Sequence, residues 1–155
     1  MAVINRLAPL RAHGGRRRTQ GLDDATIARF ATSHADLIEV IEAAEQEYER
    51  LKDDFAELLD LDEDAQIQAM QAGYINFYPD DAVNPYVALA ARGPWIVTLK
   101  GAVLHDSGGY GMLGFGHAPK AVIEAMAKPQ AMANIMTPSL SQLRFDRAIR
   151  AAIGV

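Results

Sequence analysis

No cysteine occurs among the 155 residues, so disulfides, thiolate metal sites and cysteine nucleophiles are excluded. Long apolar runs are missing too. No stretch approaches the roughly 18 to 20 residues that a membrane helix needs, and no short apolar core with a small-residue cleavage site follows the start. The expectation is a soluble chain in the cytoplasm, with no membrane partner. The four histidines, His13, His34, His105 and His117, stand at no metal-ligand spacing, so no metal is expected. Acids are absent from residues 1–22, which hold Arg6, Arg11, Arg16, Arg17 and Arg18. Such a segment suits a basic, disordered arm, frayed at Gly14 and Gly15; nucleic-acid binding and organelle targeting are the lesser alternatives.

What is present is the composition of a folded chain: 50% hydrophobic and 23% charged residues, in a length that suits one modest domain. Residues 23–73 form an acidic helical region. Ser33 and Asp36 have the form of a capping box, and Leu37, Ile41, Ala44, Tyr48, Leu51, Phe55 and Leu58 follow at spacings of four and three. That stripe predicts one long helix over about residues 34–61. It either packs on its own domain, which Ala44 and Tyr48 favour, or forms a coiled-coil seam. Asp62, Glu63 and Asp64 lack the spaced ligands of a calcium loop and read as the charged start of a second helix ending at Gly73.

Residues 74–94, with Pro79, Pro85 and Pro94, read as an irregular linker. The period then becomes strand-like. Trp95–Leu99 and Ala102–His105 predict a hairpin turning at Lys100 and Gly101, with Gly101 at positive φ. Pro119 is placed to start a helix with Ala121, Val122, Ala125 and Met126 on one face. Ser139 opens a last helix with Leu140, Leu143, Ala148, Ile149 and Ala152 inward. So small a sheet needs further layers to bury both faces.

Gly109, Gly111 and Gly114 fall into the spacing GxGxxG, which invites a nucleotide-binding reading. A dinucleotide loop requires a helix to begin inside the motif, so that its N-terminal amides meet the pyrophosphate. Here Phe115, Gly116, His117 and Ala118 separate the last glycine from Pro119. No acid follows about 20 residues on, and no GK-Ser/Thr is present. Glycines in extended backbone instead let another backbone, subunit or ligand come close.

Over about residues 90–154, the succession of "GPWIVTLKGAVLHD", "SGGYGMLGFGH", "APKAVIEAM" and "PSLSQLRFDRAIRAAIG" resembles the N-terminal part of class III aminotransferases. These are pyridoxal-phosphate enzymes of fold type I. The shared pattern is a glycine, a hairpin ending in Asp, a small-residue stretch, then Gly-His with a nearby proline starting a helix.

The resemblance implies an α+β fragment, the N-terminal small-domain segment of an α/β fold type I enzyme. It would carry a long N-terminal helix, a short antiparallel hairpin or three-stranded sheet, and amphipathic helices. Residues 95–155 would be the aminotransferase-like segment, stopping before the cofactor-binding large domain. The resemblance further implies amino-group transfer from an amine or amino acid to a 2-oxo acid, pyridoxal 5'-phosphate as cofactor of the complete enzyme, and a homodimer. Tyr110, Gly111 and Met112 would line the substrate entrance. No catalytic residue is expected in this segment. None of Lys52, Lys100, Lys120 and Lys128, read as exposed positions, matches the family's imine lysine, so this segment alone is expected to hold no cofactor and to be inactive. His117 is expected to hydrogen-bond near a helix start rather than to move protons. The competing reading is a helical or coiled-coil interaction protein without enzymatic activity.

Overall fold

The computed structural model describes residues 2–72, 84–107, 114–129 and 138–154. The chain divides into two units, Met1–Ala118 and Pro119–Val155.

Among the described residues of the first unit, five helices accompany a small sheet. They are α1 (Ala2–Ala12), α2 (Asp24–Ala31), α3 (Ala35–Asp54), α4 (Ala56–Asp60) and α5 (Glu63–Gln71). The strands β1 (Ala88–Arg92), β2 (Trp95–Thr98) and β3 (Val103–His105) pair antiparallel in the order β1-β2-β3. The α+β class and small antiparallel sheet are as expected, but β1 occupies ground assigned to an irregular linker. Its sequence, ALAAR, lacks the β-branched and aromatic residues that advertise a strand. Pairing with β2, from Arg92 opposite Trp95 to Ala88 opposite Thr98, makes it one.

Four residues, 99–102, connect β2 and β3. Gly101 sits at φ +71, and its amide closes onto the Thr98 carbonyl at 2.9 Å. The long-helix expectation divides in two. α3 stops at Asp54, and Phe55 (φ −138, ψ 37) turns the chain before α4. Ser33 is not the cap: the N-cap is His34, without a side-chain hydrogen bond, while Ser33 Oγ reaches back to the Phe30 carbonyl at 3.5 Å.

The stripe on α3 packs on its own unit. Leu37, Val40, Ile41, Ala44 and Tyr48 are buried against Trp95, Val97, Leu99 and Val103 of the sheet region, with Ile27, Leu59, Ile67 and Val87. Leu7 and Leu10 join them, fully buried. The expected disordered arm is therefore corrected: it folds as α1 because its two leucines, one turn apart, complete the core beside α3. Its arginines meet the acids opposite. Arg6 pairs with Glu42 and Glu45, Arg11 with Asp24 at 2.6 Å and Arg18 with Asp64 at 2.6 Å. The charge asymmetry along the sequence is thus largely complementarity within one fold.

The second unit contains α6 (Lys120–Met126) and α7 (Leu140–Ile153). Ser139 caps α7 as expected, its Oγ accepting from the Gln142 amide at 3.2 Å, and Gly154 ends it in the left-handed region at φ +77. Neither helix buries a residue among those described. The faces expected to point inward, including Val122, Met126, Leu140, Leu143 and Ile149, are exposed. No helix among the described residues is long and apolar enough to cross a membrane.

Candidate functional site

The sequence-derived site residues Tyr110, Gly111 and Met112 lie outside the described residues. Their flanks are described, and they meet. Gly93 at φ +52 leads from β1 toward β2, and Gly116 at φ +75 lies 23 positions later in the chain. A Cβ on Gly116 would stand 2.8 Å from the Gly93 carbonyl oxygen, so the approach of the two backbones requires glycine. The next residue, His117, pairs with Gly93 as an isolated antiparallel bridge, with amide-to-carbonyl distances of 2.9 and 2.8 Å. Its ring Nε2 lies 3.0 Å from Asp106 Oδ2. Asp106 in turn is held by its amide, which donates to the Pro94 carbonyl at 2.7 Å.

Gly93, Asp106, Gly116 and His117 therefore form a clasp that brings both flanks of residues 108–113 to one end of the sheet. His117 acts as a hydrogen-bonding residue, and its partner is an acid 11 positions upstream in the chain. The carboxylate fixes the imidazole orientation.

A second polar constellation went unseen in the sequence. Lys100, expected on an exposed turn, is 1% exposed. Its Nζ donates to the Leu59 carbonyl at 3.0 Å and to the Gly14 carbonyl. Burial pushes the Lys100 ammonium below its ordinary pKa, against the opposing pull of Asp62, Asp60 and Glu63. Glu63, also 1% exposed, accepts the Arg18 and Thr19 amides on Oε2 at 2.6 and 2.8 Å. Burial would raise its pKa, but the Thr19 hydroxyl and amide, the Arg18 amide and the Arg18 charge together hold it below the ordinary glutamate value. Nearby, His13 bridges the Tyr48 hydroxyl through Nδ1 and Asp60 through Nε2, the latter at 3.0 Å. Tyr48 is 2% exposed whereas the Asp60 carboxylate is exposed, so this relay runs from the core to the surface.

No group of three or more metal-ligating side chains occurs among the described residues. Lys100 is committed to two carbonyls, Lys52 pairs with Glu49 at 2.7 Å on the surface, and Lys120 stands near Glu124 at 3.9 Å. A shallow recess of about 120 Å³ lies between Ile67, Met70 and Gln71 of α5 and Asn84 and Tyr86; no lysine lines it. Compared with protein-family models, curated proteins and solved structures, the chain matches none.

Proposed function

We propose that the chain is the N-terminal segment of a cytoplasmic, pyridoxal-phosphate-dependent class III aminotransferase, which passes an amino group from an amine or amino acid to a 2-oxo acid. Its part is to supply a wall of the substrate pocket and contacts between two subunits. The observation that supports this reading most is the clasp. The glycine ahead of the hairpin, the aspartate at its end and the Gly-His pair before the proline, which carry the sequence resemblance, are joined by hydrogen bonds. In this reading the clasp holds Tyr110 with Gly111 and Met112 at the pocket entrance. The cofactor's imine chemistry belongs to residues beyond those described, and no step is assigned to Lys100.

The test follows the coding sequence and its product. A coding sequence that continues past Val155 into alternating strands and helices with a cofactor lysine should yield a protein that absorbs as a pyridoxal imine and transaminates. In that protein Tyr110→Phe should raise KM or shift substrate preference. A native product of 155 residues that neither transaminates nor stimulates transamination by any co-purifying chain would overturn the proposal.

A specific observation favours a second reading, a helical interaction protein. Phe145, Ile149 and Ile153 on α7 are exposed at spacings of four, which is the spacing of a docking face. The stripe on α3 does not serve it, being buried in its own unit. Size measurement of the purified chain distinguishes the readings if a stable oligomer forms whose partner surface maps to α7 and ignores pyridoxal phosphate.

A further inference from the structure

Near the start of α5, two oxygen atoms lack a hydrogen-bond donor among the described residues: Glu63 Oε1 and Gln66 Oε1, both buried. They belong to residues one helical turn apart on one face, so their side chains are neighbours. The orientation of the Gln66 amide is settled by its own contacts. Nε2 donates to the Leu58 carbonyl at 2.9 Å and the Leu59 carbonyl at 3.3 Å; turning the amide over would set its oxygen against two carbonyl oxygens. On Glu63, both backbone donors go to Oε2.

Lys100 reaches the same place from the β2–β3 turn. The Leu59 carbonyl that receives Gln66 Nε2 also receives Lys100 Nζ, at 3.0 Å. An ammonium has three protons, and its acceptors among the described residues are the Leu59 and Gly14 carbonyls. One proton therefore wants an acceptor where two oxygens want donors. That is the complement of a single water molecule, which accepts one hydrogen bond and donates two. Buried waters make about three such bonds.

We infer that the first unit holds one internal water, which accepts from Lys100 Nζ and donates to Glu63 Oε1 and Gln66 Oε1. The alternatives fit less well. A sodium or potassium ion would sit against an ammonium of like charge. A protonated Glu63 would donate from Oε1 to Gln66 Oε1, but it would leave the third Lys100 proton without an acceptor and run against the two backbone amides that favour the carboxylate. The water joins α5 to the β2–β3 turn, and through the Gly14 carbonyl to the segment after α1.

Proton NMR of the full chain tests this by magnetisation transfer from water to the amide protons of Arg18 and Thr19 and the side-chain amide of Gln66. A long-lived water should give cross-peaks with the sign of intramolecular contacts. Glu63→Gln replaces the Oε1 acceptor with an amide donor, so that one water proton loses its acceptor, and should weaken those cross-peaks while the rest of the amide spectrum stays in place. Gln66→Leu, which removes the other acceptor, should do the same if Glu63→Gln fails to fold. Absence of the cross-peaks from the unsubstituted chain would overturn the inference, as would their survival at full intensity in the folded variants. A melting temperature that falls when sodium and potassium are replaced by tetramethylammonium would identify the occupant as a cation instead.

Discussion

The Nε2 atom of His117 stands 3.0 Å from Oδ2 of Asp106, and the ten residues between them include the whole glycine stretch. If this pair ties the flanks together, Asp106→Asn and His117→Gln should be strongly non-additive. A double-mutant cycle by urea unfolding should return a coupling of about 0.5–3 kcal/mol, the range for residues in contact. Additive losses would mean that the clasp rests on its backbone bonds alone.

Gly116→Ala should cost about 1–3 kcal/mol, because alanine must adopt a positive φ and its Cβ meets the Gly93 carbonyl. Gly114→Ala is the control, since a Cβ there meets nothing within 4 Å. Thermal unfolding of both variants checks this, and equal behaviour would remove the close approach from the account.

Lys100→Met should destabilise by about 1–3 kcal/mol, the cost of leaving a buried polar group without its partner. The Gly14 carbonyl loses its Nζ donor, whereas the Leu59 carbonyl keeps Gln66 Nε2. A lysine on an exposed turn would instead give a near-zero change in urea midpoint.

Glu63 sets a pH dependence. Its folded pKa lies below the ordinary value of 4.5, so below 4.5 the unfolded chain takes up its proton first. The stabilisation is full above the ordinary value and is lost as pH falls through the folded pKa. The stability gap between the unsubstituted chain and Glu63→Gln should be flat from pH 7 to about 5 and shrink on further acidification. A gap that widens in acid would reverse the assignment.

Leu10→Ala should cost about 2–5 kcal/mol, as truncation of a fully buried leucine does, and Leu7→Ala should behave alike. A disordered arm would tolerate both without a shift in melting temperature.

Much of this could be read from residue order. The 3.6-residue period of Leu37 to Tyr48 marked the buried face of α3, Ser139 marked the start of α7, and Lys100-Gly101 marked the hairpin turn. The failures share a cause, which is that local pattern carries no information about distant partners. β1 is a strand because β2 pairs with it, and Lys100 is buried because Gly14 and Leu59 offer carbonyls from 86 and 41 positions away. Five arginines without acids look like a loose arm until the acids of α2, α3 and α5 are set opposite. Of the clasp, the sequence displayed the glycines and His117, but not the pairing with Asp106, which depends on the path of the intervening chain.

The bond from Arg11 Nε to the Gly101 carbonyl, 3.0 Å long, spans 90 positions of sequence. A ribosome extending the chain at about 5–20 residues per second needs on the order of 5–20 s to make that span. Within that interval α2 and α3, the helices that α1 packs against, are already made. The core contacts of α1 are thus available well before the turn that receives Arg11, and this bond closes late over a helix that already has neighbours.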